Sequence, residues 1–301
     1  MIVALTGATG FVGQAVLDAA ARQGIAVRAL TRRPQAEREG VEWVRGSLSD
    51  AGSLKELCDG TDAVIHVAGL TNTPDPREFE TANVDGTRKL LHAAKAQGVG
   101  RFVFTSSLSA REPSLSLYGA SKANAEAFVE TSGLDVTIVR PPAVYGPRDR
   151  DMFELFRAAQ YGVVPVPPRG RTSVIHVDDL AECLLALARD RSTIGATLEP
   201  DDGHPGGYEH SEMARLIGRA VGKSVFAPHL PKTLLSLAAR GDRLIRGDKA
   251  KLTPDRVGYM THPDWVCRPE RAVPPEIWQP RILAKEGFAR TAAWYRREGW
   301  L

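Results

Sequence analysis

Apolar residues gather into short runs along the first half of the chain, at 2–5, 25–30, 41–44, 63–68, 101–105 and 136–139. Between the runs, apolar positions recur every three or four residues, the spacing of one helix face. Short β-branched runs separated by helical segments predict a parallel sheet with crossover helices on both faces. A further run at 174–177 leads into a helical pattern at 179–189, and Val163-Val164-Pro165-Val166-Pro167-Pro168 interrupts the alternation before it. Past about residue 194 the pattern changes. Asp201–Gly207 reads as a loop, Ser211 as the cap of a helix through Met213, Leu216 and Ile217, and 231–245 as an amphipathic helix. Its leucines among basic residues suit packing on the neighbouring domain, the preferred reading, or a membrane surface. Four of the five tryptophans, Trp265, Trp278, Trp294 and Trp300, lie near the C-terminus, where they form a core or wall a substrate pocket.

The first strand runs into Thr6-Gly7-Ala8-Thr9-Gly10-Phe11-Val12-Gly13 and then a helical pattern. Strand, glycine turn and helix present free backbone N–H groups and a positive helix end to a pyrophosphate. Gly7 suits the tight turn, Gly10 the approach of phosphate, and Gly13 close packing of helix on sheet. The stretch therefore predicts dinucleotide binding.

Composition adds little that contradicts this. The net charge is +3 over 301 residues with no long basic run, which does not suggest nucleic acid. Cys58, Cys183 and Cys267 form no C-x-x-C pair, and the histidines show no metal-ligand spacing, so no metal is expected. No apolar run has the length of a membrane span, and the opening on a core strand leaves no room for a signal peptide, so a cytoplasmic setting is expected.

Tyr118-Gly119-Ala120-Ser121-Lys122 opens a helical pattern, which puts a phenol and an ammonium on one face at i and i+4. A tyrosine with a pKa near ~10 is a poor base at neutral pH, and lowering it to about 7 takes ~4 kcal/mol of preference for the phenolate. A fixed Lys⁺, together with the positive charge of an oxidised nicotinamide, can supply much of that. The fifth strand ends Thr105-Ser106-Ser107, where ligands sit in an open α/β sheet. A serine hydroxyl there can hold a carbonyl oxygen, and Ser107 is preferred to Ser106.

The glycine stretch, Ser106-Ser107 and Tyr118–Lys122, in this order, resemble the extended branch of the short-chain dehydrogenase/reductase superfamily. Further stretches are similar: His66-Val67-Ala68-Gly69, Asn83-Val84-Asp85-Gly86-Thr87, Arg140-Pro141-Pro142-Ala143-Val144-Tyr145-Gly146-Pro147, His176-Val177-Asp178-Asp179-Leu180-Ala181 and Thr291–Arg296. The resemblance implies a Rossmann-type doubly wound α/β fold. Its nucleotide-binding domain would be 1–147 plus 172–195, with a smaller substrate-binding region at 148–171 plus 196–301. It implies Tyr118 as acid/base, Lys122 as ribose ligand and modulator of the tyrosine, Ser107 as holder of the substrate oxygen, and Asn83 in support. The cofactor contacts it implies are Gly7, Thr9, Gly10, Phe11, Val12, Gly13, Thr31, Arg32, Arg33, Ser47, Leu48, Val67, Ala68, Gly69, Thr105, Ser106, Tyr118, Lys122, Pro141, Pro142 and Val144.

NAD-preferring relatives carry an acid at the end of the second strand. This chain has Arg32 and Arg33 there, which favour the 2′-phosphate of NADP, with NAD as the alternative. Ser47 stands where relatives often have an Asp for adenine. Against nucleotide-sugar enzymes, Ala143 replaces their usual Asn, and Thr172 stands where they usually place an arginine, with Arg171 one step early. The chain is more similar to 3β-hydroxysteroid dehydrogenase-like and dihydroflavonol reductase-like members, which implies an apolar ketone, aldehyde or secondary alcohol as the small-molecule substrate. Arg171 and His176 are substrate contacts in this reading, and His176 is equally a structural histidine. Two alternatives stand beside it: a nucleotide-sugar epimerase or dehydratase with tightly held NAD, and a non-catalytic dinucleotide sensor or assembly protein. A homodimer is the analogy the superfamily offers.

Overall fold

The computed structural model describes residues 1–247, 250 and 252–301. The chain divides into two compact units, 1–140 with 180–199 and 273–279, and 141–179 with 200–272 and 280–301.

In chain order, the first unit opens with β1 (Ile2–Thr6), α1 (Phe11–Arg22), β2 (Ala26–Thr31), β3 (Val41–Arg45), α2 (Ala51–Cys58) and β4 (Ala63–His66). It continues with α3 (Arg77–Phe79), a π-helical turn at Glu80–Asp85, α4 (Gly86–Ala96), β5 (Arg101–Thr105), α5 (Leu117–Glu130) and β6 (Asp135–Val139). Beyond it come β7 (Ala143–Tyr145), α6 (Phe153–Gln160), β8 (Arg171–Thr172), β9 (Val174–His176), α7 (Val177–Arg189), β10 (Thr197–Leu198) and β11 (Tyr208–Glu209). The last elements are α8 (His210–Val221), α9 (Lys232–Arg246), α10 (Pro254–Met260), β12 (Asp264–Trp265) and α11 (Ala284–Arg297).

Among the described residues, seven strands of the first unit pair in the order β10-β6-β5-β4-β1-β2-β3. Every pairing is parallel. Helices cover both faces of such a sheet, so its central strands can be apolar throughout. Val3, Leu5, Val64, Ile65, Phe102 and Phe104 are accordingly buried. The strand order reverses between β1 and β4, whose last residues, Thr6 and His66, are paired. Ligands of open α/β sheets sit outside the carboxyl ends of strands at such a reversal.

Helix starts in this unit differ in how their N–H groups are met. Asp50 caps α2 through Gly52 N–H at 3.0 Å, and Ser116 caps α5 through Gly119 N–H at 2.9 Å. At α1 the capping position is Gly10, no side chain accepts from the first turn, and no acid lies in that turn. Its N–H groups are left for another acceptor.

The second unit holds a two-stranded pair, β7 with β9, and a three-stranded sheet in the order β11-β8-β12. Its core is aromatic: Tyr145, Phe156, Phe288 and Tyr295 are buried together. A side chain at Gly287 would put its Cβ 2.1 Å from Tyr145 Oη, so only glycine lets α11 approach that ring. Trp300 stacks on Tyr295 and Trp294 packs edge-on to both, so these two tryptophans belong to the core. Asp202 accepts from Ala284 N–H and the Tyr208 hydroxyl, and so replaces the missing side-chain cap of α11.

One helix start departs from the expectation. Ser211 lies inside α8, and the capping position is Glu209, without a side-chain cap. Strand β11 runs directly into α8, and pairing of Tyr208 and Glu209 with β8 holds the chain extended up to the first helical residue. Helix α9 spans the expected segment, but only Leu235 and Ala239 are buried on it, against Val257 of α10. Among the described residues, no helix is long and apolar enough to cross a membrane.

Candidate active site

Gly7 has a φ of +74°, and a Cβ there would meet Ala68 N at 2.7 Å, so both its conformation and its surroundings demand glycine. Gly10 N–H closes the turn on Gly7 O at 2.9 Å. A Cβ on Gly13 would lie 2.0 Å from Gly7 O, so α1 rests on the turn with no room for a methyl group. Thr9 and Gly10 are exposed, and Phe11 and Val12 are half-buried. Exposed backbone at an uncapped helix start is a fit for the pyrophosphate of a dinucleotide.

A chain of hydrogen bonds ties this turn to the next two segments. Ala68 N–H donates to Thr6 Oγ1 (3.2 Å), and Thr6 Oγ1 is 2.6 Å from His66 Nδ1. His66 Nε2 is 2.9 Å from Thr87 Oγ1, whose proton goes to Asn83 O at 2.6 Å. Thr87 therefore accepts from His66, which puts the imidazole proton on Nε2 and leaves Nδ1 to accept from Thr6. Burial, with the nearby Lys122 charge, pulls the His66 pKa down to about 3. The unfolded chain takes up this proton below about 6.5 and the native state does not, so His66 withdraws stability as pH falls through that window.

Asn83 sits in the π-helical turn, a distortion frequent at functional sites. Its carboxamide accepts from Leu70 N–H at 2.7 Å, and donates to Leu70 O and to Ser121 Oγ at 2.9 Å each. Ser121 in turn donates to Tyr118 O at 2.8 Å. Asn83 thus clamps the first turn of α5 to the loop after β4. A Cβ on Gly69 would lie 3.1 Å from Asn83 Oδ1 and 3.8 Å from Lys122 Nζ, which places that loop's backbone against both side chains.

Tyr118 is half-buried on the first turn of α5, with its ring 6.2 Å from Phe79. Lys122, one turn on, is buried; its ammonium donates to Thr105 O at 2.8 Å and lies 4.4 Å over the Phe104 ring. Burial lowers its pKa to about 8, against the opposing charge of Glu126. Between about 8 and 10.5 the unfolded chain holds a proton that the native state has released, so stability gains from this group as pH rises there. Below that window the buried ammonium is a constant cost.

The two serines after β5 are engaged differently. Ser106 is buried and donates to Glu126 Oε1, whose carboxylate also receives Arg140 Nη2 at 2.5 Å. Ser107 is half-buried, caps the following turn through Ser109 N–H at 3.2 Å, and shares a hydrogen bond with Ser109 Oγ at 3.0 Å. A Cβ on Gly119 would lie 2.7 Å from Ser109 O, so the turn after Ser107 presses on the helix that carries Tyr118. Asn83, Ser107, Tyr118 and Lys122 are thereby gathered within the first unit.

The remaining expected contacts are placed as follows. Thr31 Oγ1 bonds to Arg33 N–H and O at the end of β2, and Arg32 and Arg33 are exposed. Ser47 Oγ meets Ser49 Oγ at 2.8 Å, while Leu48 packs toward Gly86, whose Cβ would sit 2.9 Å from Leu48 Cδ1. Pro141, Pro142 and Val144 belong to the second unit. There Arg171 spends its guanidinium on Gly206 O and Gly207 O, and His176 is buried edge-on against Tyr145. Two participants were not foreseen. His66 reads as part of an apolar strand. Glu126 had a signal, because it continues the face of Tyr118 and Lys122 by another four residues.

Residues 3–197 match the family described as NAD dependent epimerase/dehydratase. Over 311 aligned residues the chain is 36% identical to the ceramide reductase of Caulobacter vibrioides, covering 100% of this chain and 96% of that one. It is 32% identical to the 2-alkyl-3-oxoalkanoate reductase of Stenotrophomonas maltophilia, covering 97% and 99% respectively. The crystal structure of gox2253 superposes with a TM-score of 0.78 at 25% identity, over 100% of this chain and 99% of that one.

Proposed function

The chain belongs to the NAD-dependent epimerase/dehydratase family, within the extended short-chain dehydrogenase/reductases, and from that premise we propose that it is an NADP-dependent reductase of a carbonyl on an alkyl-bearing, lipid-type molecule. The observation that supports the reading is that Lys122 reaches the end of β5 and the loop after β4 that abuts Gly7, while Asn83 braces the first turn of the helix that carries Tyr118 and the turn after Ser107 presses on that helix. Two relatives aligned over nearly the whole chain support the substrate class, one named for a ceramide and one for a 2-alkyl-3-oxoalkanoate.

Gly7, Gly10 and Gly13 with the start of α1 would hold the pyrophosphate, Arg32 and Arg33 the 2′-phosphate, and Lys122 the nicotinamide ribose. When bound, the reduced cofactor supplies the hydride. Ser107 donates a hydrogen bond to the carbonyl oxygen and steadies its developing charge. Tyr118 gives its phenolic proton to that oxygen, which leaves the alcohol and a phenolate. The ammonium of Lys122 stabilises the phenolate and so makes the phenol a competent acid near neutrality.

Lys122 works in this role only while charged. With its pKa at about 8, kcat/KM is expected to fall along an alkaline limb near that pH. Glu126→Gln removes the carboxylate that holds the proton on Lys122, and the limb then moves to lower pH; a pH–rate profile that does not move contradicts the assignment.

Charge-assisted hydrogen bonds contribute about 1.5–3 kcal/mol each. Replacing either Arg32 or Arg33 by serine should therefore raise the KM for NADPH roughly tenfold to hundredfold, with little change for NADH. The deciding experiment compares NADPH and NADH with long-chain 3-oxo compounds, simple ketones and UDP-sugars. Faster turnover of the long-chain compounds with NADPH supports the proposal, and turnover of UDP-sugars without added cofactor overturns it.

A further inference from the structure

Helix α9 meets the rest of its unit along a narrow edge, where Leu235 and Ala239 pack with Val257, Leu230 and Leu252. At about 100° per residue, Leu234, Leu237, Ala238, Gly241, Leu244 and Ile245 share a different face. That face is in solvent, with Leu244 and Ile245 87% and 85% exposed. Scattered exposed leucines need no explanation, but a contiguous stripe does.

The charges around the stripe identify what it meets. Arg240 borders it directly, and Arg243 and Lys232 follow around the helix, all exposed. The helix contains one acid, Asp242, which pairs with Arg246 at 3.3 Å and accepts from Leu252 N–H at 2.9 Å. The outward surface is thus apolar beside basic. A second copy of this chain would bring the same basic residues against their own kind. A bilayer with anionic headgroups complements both parts at once, taking the leucines into the acyl boundary while the arginines reach phosphates.

We propose that this face of α9 is the surface by which the protein settles on an anionic lipid bilayer. The helix lies in the interface plane and does not cross. Docking and the reaction stand separately: a failure to reduce any ketone leaves vesicle binding untouched, and a failure to bind vesicles leaves the reductase reading intact.

The test is flotation of the whole protein with phosphatidylglycerol–phosphatidylcholine vesicles and with pure phosphatidylcholine vesicles. The protein should float with the anionic vesicles, be released by high salt, and float far less with the neutral ones. Arg240→Glu with Arg243→Glu should weaken anionic binding about fivefold or more per arginine. Leu244→Glu with Ile245→Glu should abolish it, and the milder Leu237→Gln should reduce it. Melting temperature and circular dichroism verify that each variant folds. Wild-type protein that stays at the bottom overturns the proposal, as do variants that float like wild type. A wild-type dimer in light scattering that Leu244→Glu with Ile245→Glu splits would assign the face to a second copy instead.

Discussion

Tyr118→Phe is expected to lower kcat by roughly 10²–10⁴-fold, the usual contribution of a positioned acid or base, while NADPH binding is retained. The substitution removes one oxygen and keeps the ring that packs near Phe79. The backbone of Tyr118 is held independently, through the Ser121 hydroxyl that Asn83 fixes. The fold of the site therefore survives, and the loss falls on the step in which the substrate oxygen acquires its proton. Single-turnover rates and fluorescence titration with NADPH separate the two quantities. A variant that keeps its rate within tenfold, or one that loses the nucleotide as well, is incompatible with this role.

Gly13→Ala is expected to damage both stability and nucleotide binding. Its Cβ would lie 2.0 Å from Gly7 O, 2.6 Å from Gly7 C and 2.7 Å from Ala8 Cα, all backbone atoms that cannot swing aside. Relief requires α1 to lift from the turn. Overpacking of this kind costs about 1–3 kcal/mol and occasionally more. For a chain of this size that corresponds to a loss of roughly 2–5 °C in Tm. Gly10→Ala provides the contrast, because its nearest contact would be a milder 3.2 Å from Gly7 O. That variant should stay close to wild type in Tm and lose NADPH affinity, since the added methyl group occupies the phosphate's approach. If Gly13→Ala melts like wild type and binds NADPH equally well, the turn is not a rigid cradle.

Six of the seven described strands in the first unit, β1 to β6, are readable in the sequence to within about two residues at each end, and the short edge strand β10 is not. Buried parallel strands must be nearly continuous apolar runs, and turns between them leave glycine behind. The placement of Tyr118 and Lys122 one turn apart on α5 is readable because helical periodicity alone sets it. Other features are not. The π-helical turn around Asn83 adds one residue to the hydrogen-bonded ring and leaves no mark on periodicity. His66 looks like an interruption of an apolar strand until its two threonine partners, distant in sequence, are brought beside it. Ser211 has the residue type of a cap, yet strand pairing at Glu209 decides where α8 begins. The amphipathic pattern of α9 shows that an apolar face exists, but only the fold shows that α10 takes its edge and leaves the rest uncovered.

The hydrogen bonds through His66 run in one direction only. At one end stands a backbone N–H, of Ala68, which can only give; at the other stands a backbone C=O, of Asn83, which can only receive. Three side chains between them, Thr6, His66 and Thr87, must all point the same way. To pass a proton along, every link would have to turn over, and the two terminal backbone groups forbid it. The chain is a strut and not a relay. It locks the glycine turn, the end of β4 and the π-helical turn in register, and it is electrically silent while doing so. In the proposed reaction, the proton for the substrate oxygen is therefore assigned to the face of α5 that carries Tyr118, and not to this strut.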